Sequence, residues 1–590
     1  MSENRLADYT EVAMRAISRR EFLRVSAISL GALVVSKGLG GCSSSIDSAP
    51  AVRFEHGVAS GDPLQDRVLI WTRVTPEDPT DDHLWVAWEV ATDAEFQDLV
   101  HNGETTVRRV HDYTLKVDLH NLLPGRTYFY RFRAGNGVVS PQGRTRTLPE
   151  AGVEQVRFAV VCCSDYQAGF FHVYSEIAKE PDLDAMLHLG DYIYEYDNRG
   201  WAAEYPERIG RMVPADNDVQ LLTLEDYRAR YALYRKDPDS KAAHASLPLI
   251  AVWDDHEVAD DAWRDGALNH DPLTQGDFKQ RKLAALQAYF EWIPVRPFRP
   301  GDREIIYRSF DYGDLVSLHM LDTRLIARDK QLDYLEFMGP DGVINETAFA
   351  AAVLDPSRTL LGMEQRNWLQ QKMAGSLATW QVLGQQVILG RMEFPAELLA
   401  NPVDPTFTTL LPKFRELVAI KSRLLQGDPT LTDDERARIN NVLPYNLDAW
   451  DGYAAEREAI LETVREPGKN LVVLSGDTHN AWANDLRDQA GRRVGVEFAT
   501  PSVSAPGLEA FYPNFPTVVA FVEQVMDLLL DDLKYVNANQ RGYLLATFTR
   551  EAARADWRFV TTVKERDYSI VAGRSKTLQT SLGSRRIDPI

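Results

Sequence analysis

Cysteine is close to absent: Cys42, Cys162 and Cys163 are the only three in 590 residues. That excludes a disulfide framework. Cys162 and Cys163 are neighbours, so a bond between them would be strained, and a metal-bound thiolate is the better use for one of them. Basic residues are in deficit, with 65 Lys and Arg against 86 Asp and Glu for a net charge of −21. This balance gives no basic footprint for nucleic-acid binding, and it repels anionic substrates at long range. Phosphate chemistry would therefore need local cations, which metals can supply. Internal repeats and low-complexity tracts are lacking, and the apolar stretch Val25 to Val35 is too short to span a bilayer. What is present is 44% hydrophobic and 26% charged residues, the make-up of a globular protein, on a chain long enough for two or more domains.

The N-terminus reads as a targeting segment. Ser18-Arg19-Arg20-Glu21-Phe22-Leu23-Arg24 leads into the apolar stretch, the pattern of a twin-arginine export signal. Leu39-Gly40-Gly41-Cys42 then has the form of a lipobox, in which Cys42 is lipidated and becomes the first mature residue. An ordinary cleavage site with a free cysteine nearby is the other reading. Residues 1–41 are thus the signal and 42–51 a small polar linker. Loss of residues 1–41 leaves the chain acidic. Twin-arginine export implies folding before export, and a periplasmic or extracellular location with the option of membrane attachment through Cys42.

Residues 52–149 carry β signals: Val68 to Thr72, Leu84 to Val90 and Tyr128 to Phe132 have strand composition, separated by Gly61-Asp62-Pro63, Pro124-Gly125 and Gly135-Asn136-Gly137. They predict a small fibronectin-like β-sandwich without a catalytic constellation. From Val156 the pattern changes to strands alternating with helices. Phe170, Val173, Tyr174 and Ile177 fall at helical spacing, and later strands are expected at Leu315 to Leu321, Trp380 to Leu389, Val494 to Ala499, Gly542 to Phe548 and Trp557 to Val563. This α/β region, residues 154–565, is the expected catalytic domain, and 566–590 a polar tail or lid.

Four apolar strands run straight into polar clusters. Val156 to Val161 leads to Cys162-Cys163-Ser164-Asp165, Ala185 to Leu189 to Gly190-Asp191-Tyr192-Ile193-Tyr194, Leu249 to Trp253 to Asp254-Asp255-His256-Glu257, and Leu471 to Leu474 to Ser475-Gly476-Asp477-Thr478-His479. Strand ends of this kind place ligands at the carboxyl edge of an α/β sheet. Taken singly, each residue has a plain reading: a turn acid, a buried thiol, a packed tyrosine, a satisfied histidine. Trp253 and Trp482 read as packing, and the acidic surface as solvated.

The ordered set, with Gln385-Gln386 between the last two clusters, resembles the calcineurin-type metallophosphoesterase superfamily. It is more closely similar to the PhoD-like alkaline phosphatase family. Supporting stretches are HLGDYIYEY, WDDHEV, Leu321 to Arg324 (LDTR), Gly362 to Leu369 (GMEQRNWL), SGDTHNAWAND and, near the front, FEHGVASGDPLQDRVLIWTRV. The resemblance runs from about Phe54 to Val563. It implies an α/β fold, a four-layer α/β/β/α sandwich preceded by the β-sandwich. The implied function is hydrolysis of phosphate mono- and diesters through a metal-bridging hydroxide, for phosphate acquisition. The alternatives are a phospholipase D-like phosphodiesterase and a non-catalytic, metal-containing surface lipoprotein. The partners expected are small phosphate esters, with no specific nucleic-acid binding.

The resemblance also implies roles. Cys163, Asp191, Tyr194 and His479 hold Fe(III), Asp191 bridges to a second site, and Asp255 and Asp477 face that site with Gln386 where a later histidine would stand. His256 acts beside the phosphate as leaving-group acid or charge stabiliser. Thiolate, phenolate, carboxylate and imidazole suit iron, whereas an all-oxygen second site suits one or more Ca²⁺. Asp260-Asp261 stands where the family has Asn-Asn, and Asp165 where Asn is more usual; these acids either hold additional Ca²⁺ or repel substrate. Arg324 is a candidate for bidentate phosphate binding, or else a structural ion pair. Gln386 is a ligand or a strand amide bonding backbone, and Asp254 a support for the ligands or a helix cap.

Overall fold

The computed structural model describes residues 50–201, 206–299, 301–340, 342–399, 407–465, 468–511 and 516–589. The expected export signal, Cys42 and most of the expected linker lie outside the described residues. Two sheets form the centre. In the first, β1 (Gln155–Val161), β2 (Ala185–His188) and β3 (Leu249–Ala251) are parallel neighbours. In the second, β4 (Val316–Met320), β5 (Trp380–Gly384) and β6 (Asn470–Ser475) repeat the arrangement. These six strands are almost entirely buried, as expected of parallel strands covered on both faces.

The sheets pack face to face through large aromatic side chains. Phe158 on β1 meets Tyr312 at 5.1 Å between ring centroids, Trp380 on β5 meets Phe548 at 6.3 Å, and Phe498 meets Trp557 at 5.8 Å. Helices cover the outer faces. His172–Lys179, Leu224–Lys236, Pro238–Ser246 and Phe278–Trp292 share the core of the first sheet. Gly362–Gly375 and Ala454–Arg465 lie with Leu383, Leu471 and Val473 on the second. Their starts are marked in the sequence: Thr223 and Asp226 form a reciprocal capping box, and Asp277 caps the helix that follows it. This is the expected four-layer α/β/β/α arrangement. Among the described residues no helix is long and apolar enough to cross a membrane.

The first sheet has ten strands, in the order Asp588–Pro589, Lys576–Ser581, Ala552–Phe559, Gly542–Thr549, β1, β2, β3, Val58–Gly61, Val68–Arg73, Thr114–Leu119. The N-terminal β region therefore shares a sheet with the α/β region: Leu249 on β3 is in register with Gly61, and its carbonyl accepts the Asp62 N–H at 3.0 Å. The second layer of the N-terminal sandwich is a four-stranded sheet, Leu99–Arg108, His83–Ala91, Thr127–Ala134 and Gly143–Arg146. Leu84, Val86 and Tyr130 from it close over Val58, Val68 and Ile70. Tyr128 Oη accepts the Leu123 N–H at 2.8 Å, the corner tyrosine that such sandwiches use.

Two segments differ from expectation. The strand expected over Trp380 to Leu389 stops at Gly384, because Gln385 and Gln386 turn toward the strand ends to make side-chain bonds described below. The tail or lid expected from 566 onward instead contributes Lys576–Ser581 to the sheet, with Leu578 and Thr580 turned inward.

Candidate metal centre and active site

The loops after β1, β2, β3 and β6 converge at one edge. Gly190, at φ 113°, makes this possible: a Cβ there would lie 2.4 Å from the Cβ of Asp254, so only glycine lets the β2 and β3 loops pass this closely. Five residues on these loops hold left-handed backbone, Cys163 at φ 57°, Asp191 at 54°, Asp261 at 53°, Asp477 at 61° and His479 at 61°. Each such residue costs on the order of 1 kcal/mol, and strain of this kind gathers where function requires a fixed aim.

The sulfur of Cys163, a carboxylate oxygen of Asp191 and a ring nitrogen of His479 lie within 4.8 Å of one another. Tyr194 completes the group: its hydroxyl donates to Asp191 Oδ2 at 3.1 Å and stands 3.2 Å from His479 Nε2. His479 Nδ1 faces the Pro506 carbonyl at 2.7 Å, so that nitrogen carries the proton and Nε2 turns its lone pair inward. Asp191, Asp255 and His256 form a second group within the same limit, and Asp254, Asp255 and Asp477 a third. Asp191 thus belongs to two groups and Asp255 joins the second to the third. Asp255 also groups with Asp260 and Asp261.

The donor sets fit cations. Asp191 Oδ1, Asp254 Oδ2 and Asp255 Oδ1 are buried and have no hydrogen-bond partner among the described residues. Bare carboxylate oxygens are costly in a protein interior, and a metal ion satisfies them. The protonation balance points the same way. Burial pushes the Cys163 thiol up, with Cys162 adding to the effect. Burial also raises Asp191 and Asp254, and lifts Asp477 to about 7. At Asp255 burial is outweighed by Arg324 and His256, which hold it low. His479 is pushed down to about 3 by burial, so it is a neutral donor. Positive charge placed among these groups favours their ionised forms.

Buried struts hold the loops. Glu257 accepts the N–H groups of Asp191 at 3.1 Å, Tyr192 at 2.5 Å and Asp254 at 2.7 Å. Glu195 Oε2 faces His256 Nδ1 at 2.7 Å, while its Oε1 accepts from the Asp260 N–H and the Asn269 amide, each at 2.8 Å. His256 Nδ1 therefore carries a proton toward Glu195, and Nε2 faces the cleft. Asp255 and Glu195 outweigh the effect of burial on His256 and raise its pKa. Sequence reasoning assigned no role to Glu195 or Glu257, although both stand inside the quoted motifs. Asp448 was missed altogether, having no motif around it.

Three expected site residues are corrected. Gln386 is not a ligand: its Oε1 accepts from Thr323 N at 3.1 Å and Oγ1 at 2.7 Å, and its Nε2 donates to the carbonyls of Trp253 at 2.5 Å and Leu321 at 3.0 Å. Both ends of the amide are used in joining strand ends. Arg324 does not reach substrate. It is fully buried, giving Nε to Asp254 at 2.5 Å, Nη1 to Asp448 at 2.8 Å and Nη2 to Asp477 at 2.9 Å. Asp165 is likewise buried and does not line the cleft; its Oδ1 accepts from Gln167 N at 2.8 Å and Ala168 N at 3.3 Å, which shapes the turn after Cys163.

The groups open into a cleft of about 320 Å³. Asp191, Asp255, His256, Asp260, Asp261, Asp477 and His479 line it with titratable groups, and Trp201, Met392, Tyr445, Trp482 and Leu508 line it with rings and apolar side chains.

Comparison with known proteins places this geometry. A family model described as PhoD-like phosphatase matches residues 158–557, and one described as PhoD-like phosphatase, N-terminal domain, matches residues 41–149. The chain is similar to a Bacillus subtilis (strain 168) protein named alkaline phosphatase D, with 33% identity over 93% of this chain and 85% of the relative. It is also similar to a solved structure titled Structure of PhoD, with 30% identity, a TM-score of 0.71 and 92% of each chain covered.

Proposed function

The chain belongs to the PhoD-like phosphatase family, and from that premise we propose that it is a metal-dependent hydrolase of phosphate mono- and diesters. The single observation that carries the reading is the sharing of Asp191 between the group with Cys163 and His479 and the group with Asp255 and His256. Cys163, Asp191, Tyr194 and His479 would hold an iron ion, since they offer thiolate, carboxylate, phenolate and imidazole. Asp191, Asp254, Asp255 and Asp477 would hold Ca²⁺ through oxygen alone. When bound, the cations supply Lewis acidity that draws charge from the phosphate and lowers the pKa of water.

The chain's own residues do the rest. Glu257 fixes the backbone that aims Asp191, and the left-handed turns hold Cys163, Asp477 and His479 in place. His256, oriented by Glu195, keeps Nε2 on the cleft, where it donates a proton to the departing alkoxide. The twin-arginine pattern and the lipobox support a protein exported to the periplasm or the outside, serving phosphate acquisition from small esters, with Cys42 as a lipid anchor.

The test is turnover of a chromogenic phosphomonoester and a chromogenic diester by purified protein supplied with Ca²⁺, together with metal analysis. Turnover lost in Asp191→Ala, with iron recovered and visible absorption from a Tyr194 phenolate, is the expected result. Metal content without turnover of either ester would leave a surface lipoprotein that uses its metals structurally.

A further inference from the structure

Among the described residues that line the cleft none is Lys or Arg, so apart from His256, which the phosphoesterase reading turns toward the leaving group, the lining offers a substrate no side chain of positive charge. Recognition of the alcohol portion then falls to the rings and apolar side chains of the lining. Trp201 is placed to dominate it. Its indole lies 5.2 Å from the His479 ring and 6.4 Å from the Tyr194 ring, nearly parallel to the latter at 19°. It thereby packs beside two of the four side chains of the iron group and remains only half-buried at the cleft. Tyr196 stands edge-on to His256 at 5.4 Å, so the proton donor also has an aromatic neighbour. Trp482 is fixed by its Nε1–H, which donates to Thr478 Oγ1 at 2.8 Å. A half-exposed indole beside the metal-ligating groups is a stacking platform.

We propose that the preferred substrate is a phosphate ester whose alcohol carries a flat, uncharged aromatic ring, such as a nucleoside monophosphate, with the ring stacked on Trp201. The inference rests on the phosphoesterase reading above and adds the class of alcohol. A stacked ring binds in the ground state and in the transition state alike, so its contribution appears mainly in KM.

The experiment compares kcat/KM for adenosine 5′-monophosphate and glycerol 2-phosphate on the metal-loaded full chain. The nucleoside ester is expected to be better by about 5- to 100-fold, the range that stacking of a base on an aromatic side chain supplies. In Trp201→Ala this ratio collapses toward one through a higher KM for the nucleoside ester, and Trp201→Phe, which keeps a flat ring, retains most of it. Free adenosine should also inhibit glycerol 2-phosphate turnover competitively in the native chain and lose that effect in Trp201→Ala. A native ratio of one or less overturns the inference without recourse to any variant, as does a ratio that survives Trp201→Ala. Failure to turn over any ester would overturn the phosphoesterase reading and this inference with it; turnover without discrimination overturns this inference alone.

Discussion

The Glu257 carboxylate receives the backbone N–H of Asp191 at 3.1 Å, tying the loop after β3 to the loop after β2. The same side chain also takes N–H groups from Tyr192 and Asp254, and it is completely buried. Glu257→Gln keeps the shape but puts an NH₂ group among three donors. Hydrogen bonds to a charged group contribute about 1.5–3 kcal/mol each, so a loss of about 2–3 kcal/mol or more is expected. Chemical denaturation of the variant checks this, and its metal content should fall in parallel, because Asp191 loses its aim.

Arg324 is surrounded by Asp254, Asp448 and Asp477, and Arg328 also pairs with Asp448. Arg324→Lys retains the charge but not the fork, and a single ammonium cannot span three carboxylates. Breaking buried pairs of this kind costs about 3–5 kcal/mol. A variant as stable as the native chain in urea titration would show that the arginine is dispensable.

Glu195 acts on His256 and not on substrate. Glu195→Gln should lower kcat by about 10- to 100-fold, the usual consequence of losing a residue that orients a site group. KM for a small ester should stay within about twofold, because the phosphate contacts are untouched. Steady-state kinetics separates the two parameters, and a change confined to KM would refute the positioning role.

Three buried histidines set a pH dependence of stability. Burial pushes His56 down to about 2, His188 to about 3 and His319 to about 4. In the unfolded chain they titrate near 6.5, so below that pH the unfolded state binds more protons than the folded one. Their stabilising contribution is complete above about pH 6.5 and is lost progressively as pH falls toward the folded values. Each contributes a slope of up to about 1.4 kcal/mol per pH unit. Urea unfolding of the native chain and of His319→Gln from about pH 6.5 to 5 isolates one of them: the variant's slope should be shallower by that amount.

The site was legible where chemistry sits next to a strand end. Asp191, Asp255, His256, Asp477 and His479 each follow an apolar run within a few residues, so the runs placed each at a strand end, and the family resemblance of the ordered set brought them to one site. Glu195 and Glu257 were visible as residues but not as struts, because their partners lie on other loops: Glu257 takes the Asp191 N–H 66 positions away and Glu195 the His256 ring 61 positions away. Gln386 shows the opposite error. Its place in the order of motifs suggested a ligand, yet order along a chain does not say which way a side chain turns. Arg324 gathers acids from three other segments, and no local pattern encodes that meeting. The sharing of a sheet between Gly61 and Leu249 was hidden for the same reason, since it depends on one register contact across 188 positions. The strand Lys576–Ser581 has only Leu578 and Thr580 facing inward, too few apolar residues to announce a strand.

β1 lies between β2 and Gly542–Thr549, so the middle of the main sheet is completed by residues almost four hundred positions further along. During synthesis the emerging polypeptide cannot zip this border until nearly all of it has left the ribosome. A chain cut short before Gly542 would present β1 as a naked seam, ready to adhere to other chains.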